Sequence, residues 1–581
     1  MNVVLLISAL LASSLGLALK GCSPGNRPGK AQVEGDAPVA QAVAPPASGL
    51  ATVSGRFTFE DVAATANADG TVGPTVTRVR PVRFAQVVNL DASVTAPRTL
   101  SAAPVFTDVD GNFALPSPVG TAFRPTLVMS TVGSGHGGVE VRTTAGVLYA
   151  VSLVDPATGQ AFVLPAGTTS AAITPDPLTA AGVQRLGGVA NILDAGLTGV
   201  DSVRATLGTT LPTAVFLYDA TATAGSFFEA RNAAVNGPAI TVKGGAAATD
   251  DTDEYDDDVI LHELGHHVAL ALSKDSSLGG DHVLSDAANP PLAFSEGFAT
   301  FFSALVRGDP VFIDAAGVLG NAPTGFVINV ESRALSTPSL RGGARGLRSE
   351  QSVAEILWDL VDGAEGRPNA DAESVVLTAA QVLGAVTALK GTRAYVSLND
   401  VLDNLVISGL ISAASLNALL GAPENQNLRF PPDAADVFPT RVVPTAVGVP
   451  DVVVTRGVRG PGTSTQDEVS RFYVLDLAAA GTLTASLALG NGVDGRNASG
   501  TNVDLAVLTD ANVNALDTGG AAIAPLDRTV ELNPERIPAA GASPRLAAGR
   551  YILYVHGRND LPGGARNASN QRVPYVLTVG P

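Results

Sequence analysis

The sequence predicts a multidomain protein, an α+β domain flanked by two all-β sandwich domains. Three observations carry this. Residues 48–164 alternate apolar and polar side chains in short runs broken by turn residues, the period-two pattern of half-buried strands. Residues 165–435 switch to helical periodicity, with a few strands ahead of most of the helices. From 436 to 581 the alternation returns.

Ahead of the first block, Val3 to Leu19 is one uncharged apolar run. No other run approaches membrane-spanning length. The mean hydropathy of +0.26 and the 46% hydrophobic content come from Ala and Val spread along the chain, which excludes a polytopic membrane protein. Lys and Arg number 36 against 54 Asp and Glu, a net charge of −18. No basic stretch offsets it, so no nucleic-acid partner is expected. Cys22 is the one cysteine, which excludes an intramolecular disulfide and a cysteine zinc site.

Leu19-Lys20-Gly21-Cys22 at the end of the apolar run resembles a bacterial lipoprotein signal over residues 1–22. Lys20 departs from that pattern, as does the lack of a basic start. The resemblance implies cleavage before Cys22 and lipidation of Cys22. It also implies an exported protein held to the outer membrane or cell surface, otherwise periplasmic or secreted. Residues 23–47 are rich in Pro, Ala and Gly and read as a flexible tether.

In the first block the strand runs include 52–59, 82–88 and 111–115. Thr107-Asp108-Val109-Asp110-Gly111-Asn112-Phe113 predicts a tight turn. The segment resembles the turn of carboxypeptidase-regulatory domains. In the last block the runs 472–477, 481–487, 503–508, 551–555 and 575–579 predict strands. Their order resembles a bacterial pre-peptidase C-terminal domain.

The middle block predicts helices over 189–207, 257–273, 293–307, 349–362, 377–389, 399–408 and 412–420, and strands at 214–218 and 239–243. Its chemistry starts at His262-Glu263-Leu264-Gly265-His266. A helix turns about 100° per residue, so residues four apart share a face and two imidazoles can hold one metal from consecutive turns. Glu263 sits one step round, within reach of a metal-bound water, as a general base requires. Six histidines in 581 residues make such a match rare by chance, about 0.006 expected occurrences. A catalytic zinc needs a third protein ligand. Ala269 and Leu272 stand where a metzincin would place glycine and histidine, which excludes that class.

Ser295-Glu296-Gly297-Phe298-Ala299 resembles the E-G-x-A helix of gluzincins, the thermolysin- and fungalysin-like clan of zinc metallopeptidases. That resemblance implies a zincin-like catalytic domain with His262, His266 and Glu296 as zinc ligands. Gly297 and Ala299 are small, which would let this helix pack closely on the metal helix. Thr300 stands where thermolysin-like enzymes carry an aspartate.

The group that stabilises the oxyanion is sought among His282, Tyr255, His267 and Tyr395. His282 comes first, being in the loop between the two ligand helices. Seven acids crowd residues 250–258; Asp251, Asp253 and Asp256 are candidate calcium ligands, beside the plainer reading of a solvated loop at a helix start. The strand 239–243 is a candidate edge strand that, by resemblance, pairs with substrate backbone. Ser352 and Glu355 fit a capping box, and Trp358 reads as a core anchor.

The expectation is a monomeric, lipid-anchored zinc endopeptidase acting on protein or peptide, with Glu263 and His282 catalytic. Two alternatives stand beside it. One is a surface binding lipoprotein with an inactive metallopeptidase domain, and the other is a zinc hydrolase of a non-peptide ester or amide.

Overall fold

The computed structural model describes residues 49–432, apart from segments at 95–97, 102, 248, 278–281, 283, 286, 321–322, 369–374, 392–395, 422–425 and 427. Beyond 432 it describes 440–442, 445–455, 470–482, 484–489, 502–509, 535–537, 545–558 and 571–580. Cys22, the tether and Tyr395 lie outside the described residues. No described helix is long and apolar enough to cross a membrane.

The helices are α1 (Leu186–Leu207), α2 (Asp257–Leu272), α3 (Pro290–Arg307), α4 (Glu350–Asp359), α5 (Ala379–Thr387), α6 (Leu398–Ile407) and α7 (Ala413–Gly421). Each overlaps a helix predicted from periodicity. α3 starts earlier than its apolar stripe because Pro290 and Pro291 occupy its first turn, where a missing N–H costs nothing. Asn289 caps it by accepting the Leu292 N–H at 3.1 Å. Gly308 ends it in the left-handed region, with φ 64°.

α4 departs from expectation. Its N-cap is Ser349, which accepts the Ser352 N–H at 3.2 Å. Glu355 therefore takes no part in a capping box. It is buried and grips Arg333 instead, Arg333 Nε to Oε1 at 2.9 Å and a terminal nitrogen to Oε2 at 2.8 Å. Trp358 is fully buried and donates its indole N–H to Glu331 at 2.8 Å.

Leu50–Arg56 and Asn112–Pro118 of the first block form a three-stranded sheet with Ser170–Ala172 of the middle block, and the first block also holds a four-stranded sheet (Val105–Phe106, Gln86–Asp91, Phe123–Val128, Ala150–Ser152) and the hairpin Thr58–Ala66/Val72–Pro81. The predicted turn forms: Asp108 Oδ1 accepts the backbone N–H groups of Asp110 (2.9 Å) and Asn112 (2.8 Å), and Gly111 takes φ 81°. The last block holds two four-stranded sheets. One is ordered Thr440–Val442, Ser470–Leu477, Gly549–Arg558, Asn502–Thr509. The other is ordered Thr445–Thr455, Gln571–Gly580, Thr484–Leu489, Glu535–Ile537. Leu475, Val507, Leu553, Val555, Leu577 and Val579 are buried among them.

The sheet behind the helices is mixed and ordered Phe227–Asn232, Gly237–Val242, Ala214–Tyr218, Val139–Arg142. The first pair is antiparallel and the other two are parallel. Two consequences correct the sequence reading. The strand expected at an edge, Gly237–Val242, is interior, and the edge is Phe227–Asn232. In addition, Val139–Arg142 comes from the first block, so the two blocks share a sheet. They also share one continuous apolar core running from Ala51 to Leu420. At the join, Arg80 reaches Asp194 (2.5 Å), Asp61 (3.4 Å) and Asp257 (3.8 Å).

α2 and α3 cross closely at Gly265, where an added Cβ would stand 2.8 Å from Ala299 Cα. Gly297 does not serve this contact. A Cβ there would meet Val353 Cβ at 2.5 Å and the Glu350 carbonyl at 2.6 Å, so it lets α4 approach from the opposite side. Two residues along a helix differ by about 200°, so Gly297 and Ala299 cannot face one neighbour.

Candidate metal centre

The buried crossing of α2 and α3 brings three side chains together. A ligand-type atom from each of His262, His266 and Glu296 lies within 4.8 Å of the others. Glu296 Oε2 stands 3.2 Å from His262 Nε2 and 3.3 Å from His266 Nε2. The imidazoles meet edge to face with centroids 5.0 Å apart. Phe312 packs edge-on against His262, and Phe228 of the edge strand stacks on His266. Both rings therefore present Nε2 to one point and are walled by aromatic side chains.

Their other nitrogens are engaged by hydroxyls of α3. His262 Nδ1 lies 3.1 Å from Thr300 Oγ1 and His266 Nδ1 lies 3.2 Å from Ser295 Oγ. Thr300 thus occupies the place beside the first histidine with a hydroxyl rather than a carboxylate. Such partners fix ring orientation at metal sites. Sequence reasoning passed over Ser295, although its position one residue before Glu296 was a usable signal.

Glu263 is buried, and burial lifts its carboxyl above the ordinary range against the pull of His262 and His266. Burial pushes the His266 imidazole down, but the Glu296 carboxylate outweighs it and brings it up to about 9. Burial likewise works against the ionised form of Glu296, yet His266, His282 and His262 together hold its carboxyl well below the usual range.

The structure brings His282 to the same centre. Its Nε2 lies 3.7 Å from Glu296 Oε1 and its Nδ1 lies 2.9 Å from Glu350 Oε1. Burial opposes its protonation, but Glu296 and Glu350 push its pKa up to about 10. Glu350, in the first turn of α4, was not singled out from sequence. It lies 68 residues away, and no local pattern ties it to His282. The other oxyanion candidates with described positions go elsewhere. Tyr255 is buried with Val62, Ala180 and Ile313. His267 turns its Nε2 to the Pro212 carbonyl at 3.2 Å, and burial lowers its pKa.

Most of the acidic run is engaged by neighbours. Glu254 pairs with Arg185 at 3.0 Å, and Asp257 accepts from Asn191 at 2.8 Å. Asp258 accepts from Ser303 and Arg307, and Asp256 accepts the Ala315 N–H at 2.8 Å. The carboxylates that converge are Asp251, Asp253 and Asp314. Asp314 therefore takes the place expected of Asp256, because Asp256 is turned to the backbone of the Val311–Ala316 strand. Lys243 pairs with Asp251, and Ser226 donates to Asp253. Burial, with Asp314 adding to it, lifts Asp253 to about 8.

Residues 218–388, which carry all of these centre residues, match the family model described as Mycolysin C-terminal domain. The match sets the segment in a metallopeptidase context. No curated protein matches the chain. Among solved structures, the pre-peptidase C-terminal domain of collagenase from Bacillus anthracis is 12% identical, covering 24% of this chain and 92% of that one. The periplasmic g-type lysozyme inhibitor PliG of Aeromonas hydrophila is 15% identical, covering 24% and 96%. Both TM-scores are 0.14, too low to define a fold.

Proposed function

We propose that the protein is a zinc-dependent endopeptidase of the gluzincin type, with His262, His266 and Glu296 as metal ligands. The observation that carries this reading is the convergence of two imidazole Nε2 atoms and one carboxylate on a buried point, within electrostatic reach of Glu263. This N, N, O donor set is the one zinc takes in peptidases of the clan, and each imidazole is backed by a hydroxyl. Zinc held there supplies Lewis acidity to the scissile carbonyl and to the attacking water.

The chain's own residues do the rest. Glu263, with its carboxyl raised by burial, takes a proton from the attacking water and delivers it to the leaving amine. His282, held on Glu350, offers positive charge to the oxygen on which negative charge develops. The Phe227–Asn232 edge leaves backbone donors and acceptors open to pair with an extended peptide. The Asp251–Asp253–Asp314 group is the candidate for calcium. Export with lipid on Cys22 rests on the Leu19–Cys22 pattern alone.

The test compares wild type with Glu263→Gln on an unbiased peptide library, with metal analysis of both. Glu263→Gln is expected to retain one zinc and lose cleavage by at least about 100-fold. Undiminished cleavage rules out this mechanism. Metal without peptide cleavage in the wild type favours a binding protein or a hydrolase of a non-peptide ester or amide.

A further inference from the structure

We infer that Asp275 and Ser295 form a relay that sets which nitrogen of His266 carries the proton, making them positioning residues for the metal centre. The inference rests on the zinc reading above. Three elements contribute: α2 carries His266, the loop after it carries Asp275, and α3 carries Ser295.

Ser295 Oγ lies 2.9 Å from Asp275 Oδ2 and 3.2 Å from His266 Nδ1. Burial raises the Asp275 carboxyl, opposed by His266, by the Ser277 N–H and by Ser295 itself; a serine hydroxyl has one proton to give, and a carboxylate accepts it. The Ser295 proton therefore goes to Asp275, and toward His266 the oxygen offers only lone pairs. Nδ1 must then be the N–H donor. Nδ1 then keeps its proton when Nε2, 3.3 Å from Glu296 Oε2, gives up its own to a metal held at that point.

The relay is well anchored. Ser295 is buried on α3 immediately before Glu296, so the helix that presents one ligand also orients another. Asp275 is fixed by its second oxygen, Oδ1, which accepts the Ser277 N–H at 2.8 Å. At many metal sites a carboxylate touches the histidine directly. Here the hydroxyl stands between them and transmits the carboxylate's polarity.

The polarity can be reversed at one position. In Asp275→Asn the side-chain amide can donate to Ser295 Oγ. The serine proton is then free to point at His266 Nδ1, which favours the tautomer with the proton on Nε2. In Ser295→Ala the link is cut, and Asp275 has no route to the ring.

The experiment measures zinc affinity by chelator competition on the full-length protein. It compares wild type, Ser295→Ala, Asp275→Asn, the double variant and Ser295→Thr, with a melting temperature for each. Each single removal is expected to weaken zinc by about 10- to 100-fold. The double variant is expected to be no weaker than Ser295→Ala, and Ser295→Thr to stay near wild type. Zinc affinity unchanged in Ser295→Ala, or penalties that multiply in the double variant, overturn the relay while leaving the metal centre standing. A wild type that retains no zinc overturns the metal centre itself.

Discussion

Glu355 closes on Arg333 with both carboxylate oxygens, at 2.9 and 2.8 Å, and the two side chains are at most 1% exposed. The pair is extended by Ser352 and Gln426, which also bond to it, and by the Ala344 carbonyl that accepts from Arg333. It clamps the segment after the Thr324–Asn329 strand to α4, and α4 carries Glu350 toward His282. Removing one partner leaves a buried charge alone, so Arg333→Met or Glu355→Leu is expected to cost about 3–5 kcal/mol. Replacing both together should cost clearly less than the sum. Urea denaturation of the three variants measures this.

Arg80 faces three carboxylates, and the burial of two of them, Asp61 and Asp257, outweighs it and fixes the sign of a pH effect. Burial and the neighbouring Asp61 lift Asp257 to about 6, with Arg80 pulling the other way. Burial also raises Asp61, against the same Arg80. These groups hold their protons to higher pH in the folded state than in the unfolded state. The contribution of these two groups to stability is therefore expected to fall as pH rises from about 4 to about 6, and to level off above that. Arg80→Met should cost more at pH 8 than at pH 4, since the cation it removes offsets Asp61 and Asp257 most where those two are charged. Urea midpoints at the two pH values decide it.

His282→Ala is expected to lower kcat about 100- to 1,000-fold with metal content unchanged, as loss of one oxyanion partner does. Glu350→Gln keeps a hydrogen-bond acceptor for Nδ1 and should lose less than Glu350→Ala. Steady-state rates on a peptide cleaved by the wild type, paired with zinc analysis, separate this role from ligation. Loss of zinc in His282→Ala contradicts it.

The close helix crossings leave little room for added atoms. Gly265→Ala pushes a methyl against Ala299 Cα, and Gly297→Ala pushes one against Val353. Each is expected to destabilise by about 1–3 kcal/mol. Gly265→Ala should also weaken zinc, because it parts His266 from Glu296, whereas Gly297→Ala forces α4 and its Glu350 away. Thermal midpoints and chelator competition on the two variants distinguish these effects.

What was legible in the sequence was local. The 3.6-residue period marked all seven described α-helices, and the four-residue spacing of His262 and His266 put both rings on one face. What escaped depends on pairing across long separations. Asp314 lies far from Asp251, and Glu350 far from His282. Arg333 and Glu355 sit in segments with no shared pattern. The capping-box motif at Ser352 and Glu355 misled because burial recruited the glutamate for Arg333, while Ser349, just ahead, took the cap. Phe227–Asn232 was missed as an edge because its alternation is weak, with only intermediate and exposed positions along it.

The strand Val139–Arg142 has a bearing on how such a protein can be reshuffled. It lines the far side of Ala214–Tyr218, from Ala214 against Val139 to Leu217 against Arg142. A gene fragment encoding only residues 165–435 would yield a sheet with that side stripped, a row of unmatched amides and carbonyls inviting contact with any other chain. Recombination that respects the fold must therefore carry the first block along, so that the two are inherited as one piece.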